Sequence, residues 1–163
     1  MPQVDFNTMP SSARVWVFGA AAPITGAAST ALLAAVDHHL AHWTAHGAPL
    51  LCARDWRDER FLAVAVDESA TGASGCSIDT LFRTLDGMTH QLGTSVTDSA
   101  IVFFRQPDGV IASSSRAAFR AHAQTGAVTM TTPVFDATVD TVGAWREQFE
   151  RLARESWHAT LLT

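Results

Sequence analysis

The chain of 163 residues contains no lysine: its 11 basic residues are all arginines, set against 16 acidic ones for a net charge of −5. That absence removes one chemistry outright, because a phosphate-binding loop of the G-x-x-x-x-G-K-[ST] kind needs a lysine to reach the β- and γ-phosphates. It also argues against a nucleic-acid partner, since binding a phosphate backbone needs a basic stripe and none is visible. Cysteine is scarce, with only Cys52 and Cys76. Two thiols do not make a disulfide framework, and both are expected reduced. No apolar run approaches the ~20 residues of a membrane span, so none is expected. The first residues, Met1-Pro2-Gln3-Val4-Asp5, lack the basic and apolar regions of a signal peptide. A cytoplasmic protein is the expectation. There is no low-complexity tract, and hydrophobic content is 47% against 17% charged, which places the chain in the soluble globular class. A domain of about 150 residues buries roughly 70% of its unfolded surface, enough for one full core.

Arg14-Val15-Trp16-Val17-Phe18 reads as a strand by its β-branched and aromatic content. A helix is expected from about Ala27 to Ala45, with Leu32, Val36, Leu40 and Trp43 on one face and Gly47 and Pro49 ending it. His38 and His42 stand four residues apart on its polar side, without the acidic third ligand of a zinc motif, so no metal site is assigned. Leu50 to Trp56 and Arg60 to Val66 form a hairpin pair, with Phe61 to Val66 an unbroken apolar run typical of a strand covered on both faces. Ile78, Leu81, Phe82, Leu85, Met88 and Leu92 mark a second helix, stopped by Gly93. Ser99 to Arg105 and Val110 to Ala112 flank the turn Pro107-Asp108-Gly109. A short helix from Arg116 to Gln124 is capped by Ser114 or Ser115. Ala127 to Val139 reads as loop or edge strand, and Asp140 is expected to cap a last helix through Val142, Trp145, Phe149 and Leu152. The pattern predicts a single α/β (α+β) domain over residues 1–163. Its mixed, largely antiparallel sheet has about five strands, with roughly three to four packing helices.

The stretch from Asp67 to Asp79 differs from this scaffold. A buried strand, a small-residue loop and a helix place Cys76 at a helix N-terminus, where unpaired backbone N–H groups stabilise a thiolate or an anion. Ser77 is the expected N-cap and Asp79 faces the positive helix end. A thiolate nucleophile needs an imidazole in reach, and His46, His90, His122 and His158 are the candidates, with His46 and His158 preferred. Asp67, Glu68 or Asp79 could orient that ring or move a proton. The bland alternative is a small buried Cys76 closing the loop against the sheet.

Four segments carry a family resemblance: Ala13-Arg14-Val15-Trp16-Val17; Trp43-Thr44-Ala45-His46-Gly47 with Pro49-Leu50; Asp67-Glu68 with Ala73-Ser74-Gly75-Cys76-Ser77-Ile78-Asp79; and Ser156-Trp157-His158. With these the chain resembles an uncharacterised family of small bacterial proteins, common in Bacteroidetes and often labelled "ABC transporter ATPase". The resemblance implies one compact domain and brings no established activity. The label itself does not fit a chain with no Walker lysine and no Leu-Ser-Gly-Gly-Gln signature.

Two functions of different classes follow, with a metal site from His38, His42 and another ligand as a weaker third. One is a small enzyme using Cys76, with His46 or His158 as base and Asp67 as its carboxylate, in a pocket roofed by Trp43 or Trp157. The other is a non-catalytic module whose Gly72 to Asp79 loop binds a small anion or a protein partner. Its contacts would come from Ser74, Gly75, Ser77 and Asp79, with Glu68 and Trp157 beside them. No cofactor is called for by either.

Overall fold

The computed structural model describes residues 3–45, 48–68 and 75–163; the side chains of residues 45, 48–49 and 75–77 lie outside that description. The first strand, β1 (Arg14–Gly19), leads to α1 (Gly26–Ala41) and then to the two-residue strands β2 (Thr44–Ala45) and β3 (Ala48–Pro49). β4 (Leu51–Arg57) and β5 (Phe61–Asp67) form a hairpin, followed by α2 (Gly75–Gly87) and α3 (Thr89–Leu92). The C-terminal half contains β6 (Val102–Arg105), β7 (Ile111–Ser114), α4 (Arg116–Gln124), β8 (Pro133–Phe135), α5 (Val142–Gln148) and β9 (Glu150–Leu152). A 3₁₀ segment, Trp157–Leu161, ends the chain's regular structure.

Alternation along the strands explains the layering. In β5, Leu62, Val64 and Val66 join one buried cluster with Leu32, Val36 and Leu40 of α1 and Leu81 and Leu85 of α2. Phe61, Ala63 and Ala65 point the other way, into a cluster with Phe103, Phe135, Trp145 and Phe149. Side chains alternate across a strand, so an unbroken apolar run is what a strand sandwiched between two layers requires. β6 alternates likewise: Phe103 faces β5's sheet, while Val102 and Phe104 face a third cluster containing Phe119 of α4 and Leu161. The domain is therefore helices, sheet, sheet, helices. The first sheet has the order β1-β5-β4 and the second β7-β6-β8-β9, with every ladder antiparallel.

The two sheets meet around Phe61, whose ring lies 5.0, 4.9 and 4.9 Å from those of Phe103, Phe135 and Phe149. Each such aromatic pair contributes about 0.5–1.5 kcal/mol beyond its area burial. Arg60 adds a polar tie. Its buried guanidinium donates to the carbonyls of Ala20 and Ala21 in the first layer and of Ile111 in the second, at 3.2, 2.9 and 3.0 Å. The fold class expected from the sequence is the one observed, with the strands divided between two sheets.

Several boundaries differ from the expectation. α1 stops at Ala41 rather than Ala45, because the His42 and Trp43 N–H groups bond back to His39 and Leu40 carbonyls at 3.2 and 3.3 Å and tighten the last turn. Trp43 is then drawn toward the hairpin by Leu50 N–H, 3.1 Å from its carbonyl. The second helical stretch is two helices, broken at Met88. β8 is an interior strand between β6 and β9, not a loop or an edge; at three residues it is too short to show alternation in the sequence. The helix cap near residue 140 is Thr141, which accepts from Ala144 N–H at 3.1 Å, and Leu152 lies in β9 instead of continuing α5.

Candidate functional site

A cleft of about 560 Å³ opens where β1 forms the edge of its sheet. β1 is its floor, through residues Arg14 to Gly19. Ile78, Asp79 and Phe82 of α2 make one wall, with Val96 from the loop after α3. Ile101, Phe103, Phe135 and Val139, from the second sheet and its loops, make the other. Arg116 and Trp157 stand at its rim. The volume falls within the range of small-molecule sites, and the mostly apolar lining with a few polar groups matches their usual make-up.

The geometry of the β1 edge follows from hydrogen-bond parity. Ala20 N–H donates to Arg60 O at 2.7 Å, and the register pairs Phe18 with Leu62, Trp16 with Val64 and Arg14 with Val66. In an antiparallel ladder such pairs alternate. The even-numbered residues of β1 thus bond to β5, and Val15, Val17 and Gly19 direct their N–H and C=O groups away from it, to the cleft edge. Val15 N–H confirms the parity by donating outward to Asp140 O at 2.8 Å.

The wall that carries Asp140 is held by a buried polar network absent from the sequence reading. Asp136 is 2% exposed. It accepts from Thr138 N–H at 3.0 Å, from the Thr138 hydroxyl and from Arg151. Burial raises its pKa, but those hydrogen bonds and the Arg151 charge outweigh it and hold the carboxyl below its ordinary value. The sequence signal was Asp136-Ala137-Thr138, an Asx turn in which the carboxylate bonds the N–H two residues on.

Of the expected site residues, Asp79 and Trp157 line the cleft. Glu68 lies beside it, 3.7 Å from Arg14, whose guanidinium also sits 4.6 Å over the Trp16 ring. Trp157 carries Arg116 at 5.0 Å over its ring. Asp67 ends β5 as expected, paired in register with Leu51. α2 begins at Gly75, two residues before the expected cap Ser77, which places Cys76 and Ser77 in its first turn. His46, Ser74 and the loop from Gly72 lie outside the described residues, as do the side chains of Cys76 and Ser77.

His158 does not line the cleft. It is 1% exposed, its Nδ1 is 2.6 Å from Ser156 Oγ, and its ring stands 6.2 Å from Phe119, on the far side of the second sheet. Burial pushes its pKa down to about 4; the Asp136 carboxylate opposes this, while Arg151 and Arg116 reinforce it. The ring is neutral at neutral pH. Trp43, the other proposed roof, is 3% exposed and packs against Trp16 at 5.9 Å beneath the floor. Cys52 is fully buried in β4 with Sγ 3.5 Å from Leu40 O, and burial pushes its thiol up to about 11. His38 and His42 are exposed, and no group of three potential metal ligands occurs among the described residues.

No protein family, curated protein or solved structure matches the chain. No helix among the described residues is long and apolar enough to cross a membrane.

Proposed function

We propose that the protein is a binding module whose ligand lies in the cleft between β1, α2 and the second sheet. The observation that carries this reading is the free edge of β1 serving as the floor of an apolar cleft. Polar backbone groups with no partner among the described residues face an enclosure lined by Ile78, Phe82, Ile101 and Phe135. Such an arrangement rewards a ligand that is apolar in body and polar along one side. The test uses the neutral dye Nile red. Its emission should shift to the blue on adding the protein, and Phe82→Asp, a change at a side chain 43% exposed, should abolish the shift. An undiminished shift in that variant would refute the cleft as the site.

A thiol enzyme is the second reading, favoured by one observation: Cys76 lies in the first turn of the helix whose next turn lines the cleft. A thiolate there would add to the carbonyl of an ester held beside Asp79, forming a thioester as the alkoxide leaves and takes a proton from water; His158, which faces elsewhere, is not its base. p-Nitrophenyl acetate cleavage that disappears in Cys76→Ser would support this reading; cleavage unchanged by that substitution would remove it.

A further inference from the structure

We propose that the cleft's ligand is a short extended peptide that adds to the free edge of β1 as a fourth strand of the first sheet. This rests on the cleft being the binding site, and names its occupant.

The edge is closed at both ends by the chain itself. At the start of β1, Val142 N–H donates to Ala13 O at 2.9 Å and Val15 N–H to Asp140 O at 2.8 Å, an isolated antiparallel bridge between Arg14 and Thr141. Beyond its end, Ala21 N–H reaches Ser95 O at 3.3 Å and Ala22 N–H reaches Thr94 Oγ1 at 3.2 Å. Between these closures remain the carbonyl of Val15 and the N–H and carbonyl groups of Val17 and Gly19. None of these five groups has a partner among the described residues. The residues on both sides behave as pieces of an edge strand with its middle missing.

The missing middle has the dimensions of a peptide. At ~3.3 Å per residue, Val15 to Gly19 spans about 13 Å, so a strand of about five residues fills it. Donors and acceptors that recur every second residue on one line are matched by another backbone, whereas a compact small molecule satisfies one or two and leaves the rest. This is how an extended segment is recognised by strand addition, with main-chain bonds giving affinity and pockets for alternate side chains giving selectivity. Here the alternate side chains meet Ile78 and Phe82 on one wall and Ile101 and Phe135 on the other, so both sets are apolar. A second copy of this chain is the poorer occupant. The walls rise on both sides of the floor, and a folded sheet edge is wider than the single strand they admit.

Charge selects among peptides. Asp79, Asp98 and Asp140 line the cleft with no cation within ion-pairing distance among the described residues. Of the two guanidinium groups there, Arg14 is held by Glu68 and Arg116 sits on Trp157. The occupant is therefore an apolar stretch flanked by lysine or arginine.

The experiment selects displayed random heptapeptides on the immobilised full chain, then synthesises the enriched sequence. Enrichment should favour three or more apolar residues beside a basic one. On adding that peptide, amide hydrogen exchange at Val17 and Gly19 should slow at least tenfold while that at Trp16, already bonded to β5, stays unchanged. Methylating the peptide's backbone nitrogens one at a time should weaken binding tenfold or more at every second residue and little between them. Phe82→Asp, with its circular dichroism unchanged, should lose the peptide. No enriched sequence, a flat methylation profile, or unprotected Val17 and Gly19 amides would overturn the proposal. Protection that appears without peptide as protein concentration rises would also overturn it, in favour of a second copy. If Nile red still binds and responds to Phe82→Asp while the peptide outcomes fail, the strand is wrong and the cleft stands; if the dye response fails too, both readings fall.

Discussion

The ring of Phe103 packs against Gly19, so close that a Cβ on Gly19 would stand 2.6 Å from ring carbon Cε2 and 2.7 Å from Cζ. The contact joins the edge strand of the first sheet to the central region of the second, at the point where the cleft closes. Phe103 cannot swing aside, because its other side meets Phe61 at 5.0 Å edge to face.

Gly19→Ala should therefore cost about 1–3 kcal/mol, the usual penalty for overpacking a filled core. Urea unfolding measures it: the midpoint should fall with the slope unchanged. The double variant Gly19→Ala with Phe103→Leu should recover part of the loss. A midpoint equal to that of the native chain would mean that the two layers are not in this contact.

His158 should make stability depend on pH. Its folded pKa of about 4 lies below the ordinary value of 6.5, so the unfolded chain binds the proton first. Stability is complete above pH 6.5 and declines as pH falls toward 4, by ~3 kcal/mol if the shift is fully expressed. His39 is shifted down by burial and by the nearby His38, and adds in the same direction. Asp136, whose pKa is lowered from 3.8, contributes only below that window. Denaturant midpoints between pH 7.5 and 4.5 should slope downward in the native chain and distinctly less in His158→Gln.

Asp136→Ala should cost about 1–3 kcal/mol, since it leaves the partly exposed Arg151 without its partner and frees the Thr138 turn. Because that turn carries Asp140, the amide of Val15 should also lose its protection from hydrogen exchange. Should Val15 remain protected in a folded variant, the network does not position the wall.

Cys52 should resist iodoacetamide at pH 8 in the native protein and react fully in urea, because its buried thiol titrates near 11. Cys76, in the first turn of α2, should label first. Faster labelling of Cys52 would contradict its place in β4.

Purified protein with Mg²⁺ and ATP should show no turnover above buffer, as no residue replaces the missing lysine. Turnover lost on altering residues 72–77 would count against this.

Local pattern alone determined a good deal of this molecule. Arg14 to Phe18 announced a strand, Phe61 to Val66 a strand covered on both faces, and Ser114 or Ser115 a helix start, because β-branching, side-chain period and capping act over a few residues. The absence of lysine showed, without coordinates, that this sequence holds no G-x-x-x-x-G-K-[ST] loop. Only tertiary structure decided that the strands divide between two sheets, that β8 is interior, and that β1 rather than β4 borders the cleft. Strand order depends on pairings between residues such as Trp16 and Val64 or Phe104 and Val134, far apart in the chain, which a period of two does not encode. The same holds for Trp157 and His158. They are neighbours in sequence, yet one lines the cleft and the other is buried beside Phe119, because a 3₁₀ turn sends adjacent side chains in different directions and only the layers around it fix which one meets which space.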